Sequence, residues 1–488
     1  MSGTITRTPD VLDRLLQEVT PQGTVSYAYD NASRRTSMTV LGQPAVIYGD
    51  DAADRLTSLT QGTATVALAY DDANRRTSLT LPNGVVATYA YSTRDELTSV
   101  TFMKDSTTLG TLTYTYDAAG RRQTVGGTWA RTGLPAAVAS ATYDDANRQL
   151  TWGGQAFTYD DNGNLTGDGT NTYTWDARDR LASLSGGVAA SFAYDPFGRR
   201  TRKTISAQTT DYLYDGDNPV QELSGGTVLA NLLTGLGIDE YFTRTDGSGR
   251  RTLLGDALGS ILALTDDAGV VQTAYTYQPF GQTTVTGQGN GNPFEYTGRE
   301  NDGTGLYYYR ARFYHPTLQR FISEDPIEFA GGDTNLYSYV ANNPQRYVDP
   351  LGLDAFVTIY DSTKQPFGHS GIGVNTTATV GFHPIEGATT KDILRRGVPG
   401  RVVSDKMSHL TPIETFRIPT RPEQDACLTK FVGLRTADPG DYILGGRACG
   451  EFVRDALQSC GVKGVDPGGF VAPFGLADRL RLYYKRVP

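Results

Sequence analysis

The sequence predicts a mainly β, repeat-built structure over residues 1–353, followed by a separate small α+β domain. Three observations lead there: a Tyr-Asp phrase that recurs along the front of the chain, a composition rich in turn formers, and a change of composition at Leu353. Glycine is high at 56 residues, tyrosine is high at 29, and only 20% of residues are charged, a profile that suits turn-rich β structure better than helical bundles or disorder.

The recurring phrase is an alternating strand ending in Tyr-Asp, a short polar turn, Arg or Asn, then a second strand. It reads Ser26-Tyr27-Ala28-Tyr29-Asp30 and then Asn31-Ala32-Ser33-Arg34-Arg35. It returns at Tyr70-Asp71, Tyr116-Asp117, Tyr143-Asp144, Tyr159-Asp160, Trp175-Asp176, Tyr194-Asp195 and Tyr214-Asp215, with weaker copies at Tyr48-Gly49-Asp50 and Tyr91-Ser92. Each period is one hairpin. Alternation such as Thr113-Tyr114-Thr115-Tyr116 puts aromatics on one face and hydroxyls on the other. Asp117 opens the turn as an acceptor of backbone N–H groups, Gly120 supplies the positive-φ position, and Arg121 is placed to cover an aromatic ring or pair with a neighbouring turn's aspartate. A lone hairpin is marginal, so successive hairpins must pair edge to edge.

The bulk numbers bound the function classes. No run of 18 apolar residues occurs, so no membrane span is expected. Met1-Ser2-Gly3-Thr4 lacks the basic and apolar regions of a signal peptide, so export is expected to use a machine that reads the folded protein. Residues 354–488 carry 17 Lys+Arg against 14 Asp+Glu (+3), leaving 27 against 39 (−12) in residues 1–353. A charge of +3 is too mild to argue for nucleic-acid binding. Cys427, Cys449 and Cys460 all lie in the tail without CxxC spacing, which suggests neither a disulfide framework nor a zinc site, and no cofactor or metal is expected.

These residues resemble the Rhs and YD-repeat proteins. The second half of the front region is the more specific: Phe294-Glu295-Tyr296-Thr297-Gly298-Arg299-Glu300, Gly305-Leu306-Tyr307-Tyr308-Tyr309-Arg310-Ala311-Arg312-Phe313-Tyr314 and Gln319-Arg320-Phe321-Ile322-Ser323-Glu324-Asp325-Pro326. It continues through Asn335–Pro344 to Val348-Asp349-Pro350-Leu351-Gly352-Leu353. The resemblance implies a hollow, cocoon-like shell that encloses a C-terminal toxin. It divides the chain into a YD-repeat shell (1–230), a core-associated region with a self-cleavage motif (231–353) and a toxin domain (354–488). Family shells are often longer, and against that pattern the N-terminal plug or loading region is expected to be missing or abbreviated here.

Aspartate before proline is by itself a turn signal. The resemblance adds a cut after the Asp-Pro-x-Gly-Leu phrase by an aspartyl-protease-like dyad. Carried over, Asp325 and Asp349 form the dyad, Leu353–Asp354 is the scissile bond, and Arg320 pins a carboxylate or aids the tetrahedral intermediate. Two carboxylates brought close cannot both ionise, so one serves as acid while the other activates water. Asp333 is a rival for one role.

In the tail, residues 356–360, 368–374, 378–383 and 413–418 read as strands, and 421–434 as a helix. Cys449 opens a second helix whose apolar face carries Phe452, Val453, Ala456 and Leu457. A helix N-terminus favours the thiolate, and its N–H groups can face an oxyanion. The competing reading makes Cys449 a small buried hydrophobe and His369 and His383 ordinary hydrogen-bonded residues. Gly368-His369-Ser370-Gly371-Ile372-Gly373-Val374, a second histidine one strand later, and Ala448-Cys449-Gly450-Glu451-Phe452-Val453 resemble the permuted papain-like and NlpC-type hydrolases. That resemblance implies Cys449 as nucleophile, His369 as base and His383 as the residue that orients it, in amide or ester chemistry; Ala448 departs from the asparagine common in relatives.

Together the resemblances imply an effector of interbacterial competition, with a cognate immunity protein, type VI-like secretion components or a chaperone, and a substrate in the target cell as partners. Two other classes stand beside it. One is a non-enzymatic binding or adhesion protein; the other is a toxin of different chemistry, ADP-ribosyltransferase or nuclease. A deaminase lacks its His-x-Glu and Cys-x-x-Cys here.

Overall fold

The computed structural model describes residues 3–118, 120–328 and 333–353. It also describes the backbone of strands Ala355–Tyr360, His369–Gly373, Val380–Pro384, Val398–Ser404, Pro412–Ile418 and Asp441–Tyr442. The chain forms two compact units, one of Met1–Ile322 with Asn343–Val348, the other of Ser323–Asn342 with Asp349–Val487.

The first unit is a series of antiparallel meanders in which each strand pairs with its neighbour in sequence. A 12-stranded sheet runs from Thr6–Pro9 to Arg122–Gly126, a three-stranded sheet from Ala141–Tyr143 to Gln155–Ala156, and a 14-stranded sheet from Thr158–Tyr159 to Thr283–Gly287. Among the described residues there is no α-helix. Alternation sets the register: Val25 faces Val40 and Tyr27 faces Met38 across one hairpin, and all four are buried. Each such side chain contributes about 1.5–3 kcal/mol on burial, and a slip of one residue would turn the whole set to solvent.

The turns explain the phrase. Asp30 Oδ1 accepts the N–H groups of Ala32 and Arg34 (both 2.9 Å), Oδ2 accepts Arg34 Nε (2.6 Å), and Ser33 holds positive φ. At Tyr29, Tyr70, Tyr116, Tyr194 and Tyr214 the hydroxyl ties its hairpin to the preceding one: that of Tyr70 donates to the Leu56 carbonyl (2.8 Å), and that of Tyr194 to Leu181 (2.7 Å). The arginine reaches forward. Arg55 donates to the Asp71 carbonyl (3.0 Å) and lies over the Tyr70 ring, 5.1 Å from its centroid; Arg180 does the same with Asp195 and Tyr194. Arg121 clamps the aspartate of its own turn, Asp117, at 2.7 Å. In the weak copy at Tyr48 the turn aspartate is Asp51, one residue later than the spacing suggested, and at Tyr91 the Ser92 hydroxyl replaces the carboxylate. Asp10, Asp256 and Asp266 build the same turn with no tyrosine before them.

Polar links join the two large sheets in matching order along the chain. Arg199 pairs with Glu18 (2.8 Å), Arg35 with Asp215 (2.5 Å) and Arg76 with Glu240 (2.8 Å), while Asn83 donates to Thr265 (2.8 Å). Against the 14-stranded sheet lies a four-stranded one, Glu300–Asn301 to Arg320–Phe321, whose Tyr307, Tyr308, Tyr309, Phe313 and Tyr314 are almost wholly buried. The fully buried Arg200 guanidinium binds Asp302 and Glu300 there and stacks on Tyr308.

In the second unit the tail strands form a six-stranded antiparallel sheet. Its order is Pro412–Ile418, Ala355–Tyr360, His369–Gly373, Val380–Pro384, Val398–Ser404, Asp441–Tyr442. Four of these strands fall where the sequence predicts them. The expected helices, with Cys427, Cys449 and Cys460, lie outside the described residues, as does His409.

Candidate functional site

The second Asp-Pro pair sits in a closed turn. Asp349 is 1% exposed, and its Oδ1 accepts the N–H of Leu353 at 3.0 Å, four residues on. Gly352 takes φ 70°, a left-handed position that lets the chain double back, and Leu353 is buried. The carboxylate is thereby fixed to the residue whose carbonyl leads the predicted scissile bond. Asp354 lies outside the described residues.

The first pair forms a related turn in the same unit. Asp325 Oδ1 accepts the Ile327 N–H (3.0 Å), its carbonyl accepts the Glu328 N–H (2.8 Å), and Glu328 has φ 52°. Its own N–H donates to the Leu336 carbonyl (2.9 Å), and next to it Glu324 accepts the hydroxyl of the buried Tyr337 (3.2 Å). Successive residues are thus held to Leu336–Tyr337, a pairing that no spacing signal in the chain announces. Asp333 is engaged otherwise: one oxygen accepts the Asn335 N–H (2.9 Å), the other the Ser338 hydroxyl, bonds that fold its own loop. Arg320 belongs to the first unit, where it donates to the Asn147 carbonyl (2.5 Å) and lies 5.4 Å from the Tyr143 ring centroid.

In the tail sheet, His369 opens one strand and His383 lies in the next. Their strands pair antiparallel with Ile372 opposite Val380, and carrying that register three residues back brings His369 level with His383. Among the described residues no group of His, Cys, Asp and Glu has the arrangement of a metal site, and no helix is long and apolar enough to cross a membrane.

Comparison with known proteins agrees with the architecture. Residues 10–42 match the RHS Repeat family model, and residues 80–345 match the Teneurin YD-shell model. The tRNA3(Ser)-specific nuclease WapA of Bacillus spizizenii is 33% identical over 252 residues, 49% of this chain but 11% of that protein. The double-stranded DNA deaminase toxin A of Burkholderia cenocepacia is 32% identical over 260 residues, 44% of this chain and 18% of that protein. The chain therefore spans only a small part of the length of these relatives. The crystal structure of TcdB2-TccC3 has a similar fold, with a TM-score of 0.55 at 18% identity over 71% of this chain and 24% of that one. With the Teneurin YD-shell match covering more than half of its residues and the Asp-turn hairpins that build it, the chain belongs to the YD-shell family.

Proposed function

We propose that this protein is a toxin effector whose shell cuts its own chain after Leu353 and carries, in residues 354–488, a cysteine-dependent hydrolase or acyltransferase. The observation that carries the self-cleavage reading is the bond from the Leu353 N–H to Asp349 Oδ1. It ties a buried carboxylate to the N–H of the residue whose carbonyl is to be attacked, and Asp325 lies in the same unit. In the reaction one carboxylate accepts a proton from water as its oxygen bonds to the Leu353 carbonyl carbon. The other carboxyl protonates the departing Asp354 nitrogen as the C–N bond breaks, so one water is consumed and the proton count is restored.

For the tail, the reading rests on the pairing of the strands that carry His369 and His383, whose Ile372–Val380 register extends to set the two histidines level, together with a cysteine, Cys449, in the Gly-Arg-Ala-Cys-Gly-Glu sequence. Cys449 attacks an amide or ester carbonyl with His369 as base and His383 as its orienting partner, and water or another acceptor releases the acyl group. A second reading is favoured by the relatives: their names are those of a tRNA nuclease and a DNA deaminase toxin, so the tail would act on nucleic acid. A cognate immunity protein and a type VI-like secretion apparatus are the partners this role calls for.

The test is intact mass of the purified full chain, wild type and Asp349→Asn. A fragment of residues 354–488 in the first and its absence in the second supports the cut; an unbroken wild-type chain refutes it. Toxicity of the chain that survives Cys449→Ala refutes the thiol chemistry and leaves the nucleic-acid reading.

A further inference from the structure

We propose that residues 134–139 are a processing site for a serine endopeptidase with a small-aliphatic pocket, and that the cut leaves the first unit assembled as a two-chain complex.

The segment joins the 12-stranded sheet, which ends at Gly126, to the three-stranded sheet, which begins at Ala141. Residues 134–143 form the longest run of exposed residues among those described, and Leu134 is 83% exposed. Both flanks are anchored. Before the segment, Trp129 stacks on Phe102 and its N–H donates to the Thr111 carbonyl (3.1 Å), while the Gly133 N–H donates to the Tyr277 carbonyl (3.3 Å). After it, the Ser140 carbonyl accepts the Gly153 N–H (2.9 Å) and Ala141 pairs with Trp152. Between these anchors no hydrogen bond to a described residue holds any main-chain group of residues 134–139. Pro135 fixes its own φ and pushes Leu134 toward extended backbone.

An endopeptidase takes its substrate as an added strand, through the main-chain groups this stretch leaves open, and exposed connections of small residues are where nicking concentrates. Other exposed stretches are closed to it. In the repeat turn at Asp51 the carboxylate occupies the N–H groups of Ala53 and Arg55. Residues 284–291 are exposed too, but Thr283–Gly287 is paired with Val271–Tyr277 and the Gln288 N–H donates to the Gln272 carbonyl (2.8 Å). The side chains set the specificity. No charged residue stands between Arg131 and Asp144, and the bonds after Ala136, Ala137 and Val138 each offer a small aliphatic group to the pocket. The enzyme's serine displaces the peptide nitrogen, which leaves as the protonated amine, and one water then releases the acyl group as a carboxylate.

The fragments are held by bonds that do not pass through the segment. Arg199 with Glu18, Arg76 with Glu240, Asn83 with Thr265 and Gln43 with Asn231 (2.5 Å) each join a residue before the cut to one after it. The nick turns these into contacts between two chains, so the 12-stranded sheet is retained without its covalent link and leaves by dissociation, with no chain unfolded.

The experiment treats the folded full chain with a low ratio of pancreatic elastase and follows it by intact mass and native size exclusion. The first cut within residues 1–322 is expected after Ala136, Ala137 or Val138, and the fragments are expected to elute together and to part in urea. Ala136→Asp with Ala137→Asp and Val138→Asp, all on the exposed stretch, is expected to slow that cut by about a hundredfold, because an apolar pocket leaves a carboxylate unpaired, with the thermal midpoint unchanged. A first cut elsewhere in residues 1–322, a folded chain that resists cutting, or a triple variant nicked here as fast as wild type overturns the site. Fragments that separate on the native column overturn the two-chain complex. Release of residues 354–488 has its own mass, so failure of the self-cleavage reading is scored apart from failure of this one.

Discussion

Replacing Arg200 by methionine is expected to destabilise the first unit more than removal of any surface ion pair. Arg200 is fully buried; its two Nη groups bind Asp302, Nη2 also binds Glu300 at 2.5 Å, and its guanidinium carbon lies 4.1 Å from the Tyr308 ring centroid. Lys203, 3.0 Å from Asp302, is the other cation of this cluster among the described residues. Two cations and two anions therefore become one and two, in a place water does not reach. Breaking a buried pair by removing one partner costs about 3–5 kcal/mol, and the lost cation–π contact adds roughly 1 kcal/mol. Replacing the whole cluster by neutral groups avoids the stranded charge, so Arg200→Met with Glu300→Gln and Asp302→Asn is expected to recover most of the loss. The assay is urea unfolding followed by tryptophan fluorescence, which reports this region because Trp129, Trp152 and Trp175 all lie in it. A loss below about 1 kcal/mol for the single variant, or a triple variant no more stable than the single, would refute the reasoning.

Burial pushes the His315 imidazole down to about 4, and its Nδ1 accepts the Leu318 N–H at 3.4 Å, which suits the neutral ring. The folded value lies below the unfolded one, so the unfolded chain takes up the proton first and stability falls as pH drops from about 6.5 towards 4. The slope is at most about 1.4 kcal/mol per pH unit, and less to the extent that solvent reaches the ring. His315→Gln is expected to flatten thermal unfolding midpoints across that window, and an unchanged slope would dismiss the assignment. The turn carboxylates contribute outside the window: the Arg55 guanidinium holds Asp51 below the usual carboxylate range, so its share is lost only below about pH 4. At Gly110 an added Cβ would come within 2.0 Å of the Trp129 ring, which stacks on Phe102. Gly110→Ala is expected to expel the indole, red-shift its emission and cost about 1–3 kcal/mol of stability; native emission at native stability would contradict this packing.

The repeat architecture was legible because its chemistry is local. Tyr, Asp and Arg of one turn act within a few residues of each other, so the phrase is visible along the chain. Turns that lack the tyrosine were not legible: at Asp10, Asp256 and Asp266 the carboxylate builds the same loop, but the preceding residue is Pro9, Gly255 or Thr265. The signal that would have found them is aspartate, then two residues, a left-handed former, and a fifth residue whose N–H returns to the carboxylate. The buried cluster of Arg200 with Glu300 and Asp302 had no signal at all, because its members are separated by about a hundred residues and each looks locally like an ordinary turn or strand charge. At the candidate site, the two Asp-Pro pairs were visible as turns, and the tether of Glu324–Asp325 to Leu336–Tyr337 was not, since it joins a loop to itself with no fixed spacing.

The same locality bears on what the shell can tolerate. Repeats that carry the full phrase are coupled to their neighbours by a tyrosine hydroxyl reaching back, as at Tyr70 and Tyr194, and an arginine reaching forward, as at Arg55 and Arg180, so their stability is largely a sum of nearest-neighbour terms. Loss of one hydroxyl, as at Tyr194, removes one bond of about 1 kcal/mol and leaves the next repeat intact. The bonds between the large sheets behave differently. Arg199 with Glu18 and Arg35 with Asp215 span about 180 residues, so they form only after both sheets exist and carry a large closure entropy. Damage to a turn is therefore expected to speed local opening, whereas damage to these long-range pairs is expected to slow assembly of the whole unit. In refolding from urea, Arg35→Met should lower the folding rate with little change in repeat-level hydrogen exchange, and Arg55→Met should do the reverse. If both variants changed the same observable, the division between neighbour coupling and long-range closure would have no physical content in this fold.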